Sequence, residues 1–194
     1  MESFVVIGLI VLWIVVLFNL MLTLALVRRV NGSGAATAGV ELGGLSAGQP
    51  APDFSAETPQ GQPISAAAYA GQATAMVFIG PNCSHCVKAL PLIKELQPHA
   101  ARAGIQFVLI SDGAHEETQA YIERHRITAP VLVAPRGVNP LLSDYKVDGV
   151  PFYYLIDANR TIQAAGIPGD PAWQERTASW KHGAAPAIQL EPAI

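Results

Sequence analysis

Cys83 and Cys86 are the only two cysteines in this 194-residue chain. An apolar segment with the pattern of a buried strand, 74–79, ends just before them, and a helical pattern runs over 87–103. A Cys-x-x-Cys pair at a strand-to-helix turn is typical of a dithiol that exchanges with disulfide bonds. Cys83 lies at the predicted helix N-terminus, where free N–H groups stabilise a thiolate, so we expect it to attack. Cys86, one turn into the helix, is expected to resolve the mixed disulfide.

Four more residues are candidates for supporting roles. His85 lies between the cysteines and could give the thiolate positive charge or a hydrogen bond, although an exposed loop position without a role is the alternative. Pro81 is expected to shape the loop that presents Cys83. Val150 and Pro151 precede a strong strand pattern. Cis prolines occur mostly at tight turns, but the residues alone favour an ordinary trans proline at the start of a strand.

Other uses of the two cysteines fit the sequence less well. A stabilising disulfide at this spacing would close too short a loop to restrict the unfolded chain much. Cys-x-x-Cys is half a zinc site, and the five histidines offer no second clustered pair, so no metal and no other cofactor is predicted. A non-enzymatic metal-delivery module is the alternative from another functional class. Haem attachment requires His where Val87 stands, and a peroxiredoxin-like peroxidase would place Thr or Ser where Gly80 stands.

The elements around the cysteines predict an α/β domain. Short apolar runs alternate with helical patterns and with turn residues. Strands are predicted at 74–79, 105–110, 130–134, 152–156 and 161–164, and helical segments at 87–103, about 116–126, 140–145 and 171–181. The turn 157–160 predicts an antiparallel hairpin between the last two strands.

The N-terminal region predicts a membrane anchor. Residues 4–27 carry no charge and exceed the roughly 20 apolar residues that a helix needs to cross a bilayer. Residues 28–49, rich in Gly, Ala and Ser, are expected to be a flexible tether, residues 50–183 the folded domain and residues 184–194 a loose tail. Arg28 and Arg29 follow the span directly, and the positive-inside rule would place them and the domain in the cytoplasm.

Net charge argues against one class of partner. The formal charge is −3 at pH 7, and no basic cluster accompanies it. Because nucleic-acid binding depends on clustered Lys and Arg, we expect no nucleic-acid partner. The expected partners are the membrane and a protein that supplies a dithiol or a disulfide.

The assembled pattern resembles the thioredoxin-fold oxidoreductases over roughly 50–182. It comprises a strand, Cys-x-x-Cys at the start of a helix, Pro91 eight residues after Cys83, and Val150-Pro151 before a β-hairpin. The resemblance implies a central mixed β-sheet flanked by helices, preceded here by one transmembrane helix. It also implies that Pro151 is cis and packs against the dithiol, and that the Val150 backbone pairs with substrate.

Within that fold, the chain is similar to the methylamine-utilisation thiol oxidoreductases. The similarity rests on the span, the entry 50–54, and the segments 78–86 and 110–113. It implies a periplasmic domain that helps to mature a disulfide-rich amine dehydrogenase subunit; a reductant of cytochrome-maturation type is the alternative. The chain departs from the common pattern with Asn82 in place of Trp, with Ser84 in place of Gly or Pro, and with no acid in the strand 74–79.

Overall fold

The computed structural model describes residues 6–8, 12–23 and 43–182. Contacts divide the chain into two units, Met1–Glu41 and Leu42–Ile194. Most of the predicted tether, together with Arg28, Arg29 and the predicted tail, lies outside the described residues.

The described part of the first unit forms helix α1, the candidate membrane span Val6–Thr23. Its large apolar side chains, such as Trp13 and Phe18, are exposed within the unit. A helix of this length and composition fits a single membrane crossing or a signal segment.

The second unit is built on a mixed seven-stranded sheet with the order β2-β1-β5-β4-β3-β6-β7. The strands are β1 (Ser55–Glu57), β2 (Pro63–Ser65), β3 (Thr74–Ile79), β4 (Gln106–Ser111), β5 (Val131–Val133), β6 (Phe152–Ile156) and β7 (Ile162–Gly166). Strands β3, β4 and β5 are parallel, and the remaining pairings are antiparallel. All six β3 residues are buried, as expected for a central strand covered on both faces.

Helices cover the sheet. They are α2 (Ser84–Arg102), α3 (His115–His125), α4 (Leu141–Asp144) and α5 (Pro171–Ala178), with 3₁₀ helices at Ala66–Tyr69 and Ser179–His182. Successive β3 side chains point to opposite faces. Ala75, Val77 and Ile79 join the core beneath α2 and α5, whereas Met76 and Phe78 join an aromatic core on the other face.

The folded unit begins earlier than the predicted boundary at Pro50. Gly48 N–H donates to the Ile162 carbonyl at 2.8 Å, and Ile162 N–H donates to the Gln49 carbonyl at 2.9 Å. Leu45 N–H donates to the Tyr154 hydroxyl at 2.8 Å. Residues 43–49, assigned to the tether by composition, therefore pack along β7 and the aromatic core.

Candidate functional site

Both cysteines lie at the carboxyl end of the central strand. Strand β3 pairs with β4 and β6, so the turn that follows it is held from both sides. Helix α2 begins at Ser84 and Cys83 is its N-cap, which agrees with the predicted helix N-terminus at Cys83, although the helical pattern itself was predicted only from residue 87. Cys83 and Cys86 form a disulfide with a Cα–Cα distance of 5.2 Å.

The two sulfur atoms differ in access. Cys86 is fully buried, whereas Cys83 is half-buried at the surface. A nucleophile from another molecule can therefore reach the Cys83 sulfur and not the Cys86 sulfur. This asymmetry is what an attacking cysteine and a resolving cysteine require.

Backbone N–H groups surround both sulfur atoms. Cys86 N–H donates to Cys83 Sγ at 3.0 Å, which is a side-chain cap at the start of α2. In the reduced protein this N–H and the helix dipole would stabilise a Cys83 thiolate. Gly80 N–H donates to the buried Cys86 Sγ at 3.4 Å, which gives that sulfur a partner when it leaves as a thiolate.

Val150 and Pro151 are here called the platform, and the Val150 carbonyl faces Cys83. The Val150–Pro151 peptide bond is cis, which confirms the isomer implied by the family resemblance. The Val150 carbonyl oxygen lies 3.3 Å from Cys83 Sγ, a distance at which a reduced thiol can donate to it. Both platform residues are half-buried, so a partner that reaches Cys83 also meets this edge of the molecule.

His85 and Pro81, the other two predicted site residues, differ in their surroundings. His85 is exposed on the first turn of α2, and within residues 43–182 its ring makes no hydrogen bond. Pro81 packs closely against the Gly113 loop. A Cβ added at Gly113 would lie 2.6 Å from Pro81 Cγ, so only glycine allows the two loops to pack this closely.

Three residues that the sequence analysis did not assign to the site also adjoin it. A Cβ on Gly80 would lie 2.8 Å from Asp112 Oδ1 and 3.3 Å from Cys83 Cβ. Asp112 in turn pairs with Arg136, whose Nε lies 3.3 Å from Asp112 Oδ2. The carboxyl ends of parallel strands meet at one sheet edge, so the position of Asp112 after β4 was a usable signal. Nothing in the sequence marked Arg136.

Potential metal ligands do not assemble in the part of the chain that the structure describes. There, no three His, Cys, Asp or Glu side chains come together in a group that could hold a metal ion. The residues that do converge are two cysteines, a glycine and a carbonyl-bearing platform. What they can support chemically is thiol–disulfide exchange.

The fold and the site define a thioredoxin-like protein with a Cys-x-x-Cys pair. Residues 47–165 match the AhpC/TSA family. Among solved structures, the thioredoxin domain of a thiol-disulfide oxidoreductase from Bacteroides vulgatus superposes with a TM-score of 0.61. It is 22% identical in sequence, and the match covers 68% of this chain and 95% of that domain.

Sequence relatives indicate which branch of the AhpC/TSA family the chain resembles. The methylamine utilization protein MauD of Paracoccus denitrificans is 30% identical over 175 residues, which are 86% of this chain and 84% of that protein. MauD of Methylobacillus flagellatus is 32% identical over 126 residues, which are 64% of this chain but only 58% of that relative. The chain belongs to the AhpC/TSA family and, within it, to the MauD-like redoxins.

Proposed function

We propose that this protein is a membrane-tethered thiol–disulfide oxidoreductase that exchanges disulfides with an extracytoplasmic client protein. The observation that carries the proposal is the unequal access of the two sulfur atoms. Cys83 is reachable and lies against the Val150 carbonyl, while Cys86 is buried one helical turn away.

The exchange proceeds in two balanced steps. A client thiolate attacks Cys83 Sγ, the Cys83–Cys86 bond breaks, and Cys86 leaves as a thiolate that is then protonated. The second client thiolate attacks the client sulfur of the mixed disulfide and releases the Cys83 thiolate. The client loses two electrons and two protons, and the dithiol gains them. With a client disulfide, the same steps run in reverse.

The platform is proposed to hold the client during these steps. An extended client segment beside Val150 would exchange backbone hydrogen bonds with it, as an added strand does at an open sheet edge. Pro151 has no N–H group and so offers no competing donor next to Cys83. We propose a disulfide-rich subunit of an amine dehydrogenase as the client, because the relatives are methylamine utilization proteins.

The Cys86→Ser variant tests the exchange and identifies the client. The Cys83 thiolate can then attack a client disulfide, releasing one client thiolate and forming a mixed disulfide that no resolving thiol breaks. Expressed in the native host, the variant is expected to yield covalent complexes on non-reducing gels, and reductant should dissolve them. The Cys83→Ser variant is the matched control. Equal amounts of complex from both variants would contradict the proposed role of Cys83.

The proposed topology places the domain on the outer side of the membrane. The apolar helix α1 supports a membrane anchor, and the family resemblance implies the outer side, whereas Arg28 and Arg29 favour the other side. In the Cys86→Ser variant Cys83 is the only cysteine, so a membrane-impermeant maleimide should label it in intact spheroplasts. Labelling only after lysis would place the domain in the cytoplasm and would contradict this part of the proposal.

A further inference from the structure

An ion pair with no role in the exchange steps above lies beside the dithiol. Asp112 directly follows β4, and its N–H donates to the Ile79 carbonyl at 3.0 Å, next to the start of the dithiol loop. Arg136 N–H donates to the Asp112 carbonyl at 2.9 Å, and its Nε lies 3.3 Å from Asp112 Oδ2. The Asp112 side chain is only 18% exposed, against 44% for Arg136, so the carboxylate is the more buried partner.

The same guanidinium also contacts the segment that leads to the platform. Arg136 Nη1 donates to the Val147 carbonyl at 3.2 Å and approaches the Asp148 carbonyl at 3.5 Å. A planar guanidinium can bond several acceptors at fixed angles, which a lysine ammonium cannot reproduce. Arg136 therefore connects the end of β4 with the residues just before Val150.

Asp112, the platform and Cys83 meet around the α-carbon of Gly80. A Cβ on Gly80 would lie 2.8 Å from Asp112 Oδ1, 3.2 Å from Val150 Cγ2 and 3.3 Å from Cys83 Cβ. Asp112, Val150 and Cys83 therefore border the same small space beside Gly80. A displacement of Asp112 or of Val150 would change the packing around Cys83, because protein interiors are close-packed.

The pair also contributes to the charge near the dithiol, because Asp112 Oδ1 and Cys83 Cβ both adjoin Gly80. A nearby carboxylate disfavours a thiolate, and a guanidinium paired with that carboxylate opposes the effect. Other charged or titratable groups also occur on the adjoining elements. His85 and Lys88 of α2 are exposed, and the Asp148 carboxylate lies next to Gly43. Glu117 of α3 accepts from Ala114 N–H and lies beside Gly113, which packs against Pro81.

We infer that Arg136 is a positioning residue of the dithiol site. Through Asp112 and the carbonyls of Val147 and Asp148 it holds the platform against Cys83, and its charge offsets that of Asp112 beside the Cys83 thiolate. The inference rests on the proposed exchange function, and it assigns to the site a residue 53 positions away in the sequence.

The test uses the full-length protein in detergent and two measurements. The first is the KM for a peptide that contains one disulfide. The second is the pH midpoint of Cys83 alkylation by iodoacetamide, measured in the Cys86→Ser background. For Arg136→Gln we expect the KM to rise roughly tenfold, which corresponds to the loss of one hydrogen bond to a charged group. We expect the alkylation midpoint to move about half a unit to higher pH.

A double-mutant cycle of Asp112 and Arg136 distinguishes the positioning role of Arg136 from a general loss of stability. Asp112→Asn should move the alkylation midpoint to lower pH. The double variant Asp112→Asn/Arg136→Gln should return it to the wild-type value while the KM stays high. Arg124→Gln, which removes one positive charge from the far end of α3, is the matched control and should change neither quantity.

Each outcome decides between the alternatives. If wild type exchanges disulfides but Arg136→Gln has the wild-type KM and midpoint, the inference is wrong and the proposed function stands. If the double variant keeps the shifted midpoint of Arg136→Gln, the charge does not act through Asp112, which also overturns the inference. If wild type does not exchange disulfides, the proposed function fails, and the alkylation midpoints alone decide the charge effect. If Arg136→Gln does not fold, Asp112→Asn still tests that effect.

Discussion

At the scale of single residues, the site depends on a glycine that brings its parts into contact. Gly80 follows β3, and its N–H donates to Cys86 Sγ. Its φ angle does not lie in the left-handed region, so an alanine is acceptable to the backbone. What excludes a larger residue is the crowding by Asp112, Val150 and Cys83.

We therefore predict that Gly80→Ala damages both stability and activity. The added methyl group must displace Asp112 or Val150, and overpacking of this kind typically costs about 1–3 kcal/mol of the free energy of unfolding. Urea unfolding and the rate of disulfide exchange measure the two effects.

Gly149→Ala is the matched control for this change. A Cβ there meets no atom within 4 Å and the backbone is not left-handed, so both quantities should stay near wild type. Equal behaviour of the two variants would show that crowding at Gly80 does not hold the site together.

At the scale of elements, the local parts of the site were predictable and the long-range ones were not. The strand β3 and the placement of Cys83 at a helix start follow from an apolar run and a period of 3.6, which nearby residues determine. The helix buries Cys86, Leu90, Ile93, Leu96 and Ala100, a spacing that agrees with the helical period.

Pairings between distant segments explain what the sequence could not provide. The contact of Arg136 with Asp112 exists because β4 and β5 are adjacent parallel strands, a fact that no local pattern contains. Residues 43–49 have the composition of a linker, yet they are held by backbone hydrogen bonds, which composition does not report. Candidate residues with a chemical signature, Cys83 and Cys86, could therefore be proposed from the sequence, whereas Arg136, which is defined only by its position in the fold, could not.

The last helix gives a prediction at this scale. Asp170 caps α5: its Oδ1 accepts from Trp173 N–H at 2.6 Å and its Oδ2 accepts from Ile167 N–H at 3.2 Å. Asp170→Ala should lower the free energy of unfolding by about 1–2 kcal/mol, the usual loss for a helix cap. Chemical denaturation of the fragment Leu42–Ile194 measures this loss.

Glu175→Ala serves as the control for Asp170→Ala. It removes the same charge from an exposed position within the same helix and is expected to change stability by less than about 0.5 kcal/mol. If the two variants were equally stable, the cap would contribute nothing measurable.

At the scale of the whole molecule, two buried tyrosines connect residues 45–52, at the start of the second unit, to the rest of that unit. The Tyr154 hydroxyl donates to the Tyr145 carbonyl at 2.5 Å and accepts from Leu45 N–H. The Tyr145 hydroxyl donates to the Pro52 carbonyl at 2.9 Å. Burial of each hydroxyl raises the pKa of Tyr145 and the pKa of Tyr154 to about 12.

These pKa shifts predict a loss of stability in alkali. Between pH 10 and 12 the folded protein keeps protons that the unfolded chain releases, so the free energy of unfolding falls as pH rises through this window. The decline reaches at most about 1.4 kcal/mol per pH unit for each tyrosine, and it is absent below pH 10. Unfolding of the fragment Leu42–Ile194 at pH 8, 10 and 11 should follow this course.

The Tyr145→Phe variant separates the tyrosine contribution from other alkaline effects. It should be less stable at pH 8 by about 1 kcal/mol, because the hydrogen bond to Pro52 is lost. It should then lose less stability than wild type between pH 10 and 11. An identical decline in both proteins would mean that Tyr145 does not titrate in this window.

Cys83 is proposed to perform the exchange, and its reaction with a model disulfide decides whether it does. The full-length protein is reduced and mixed with a model disulfide whose released thiol is coloured, and the release of that thiol is followed over time. We predict that wild type reacts in stoichiometric amounts, that Cys83→Ser is inactive, and that Cys86→Ser forms one mixed disulfide and stops. Thiol release by Cys83→Ser at the wild-type rate would show that Cys83 is not the attacking cysteine.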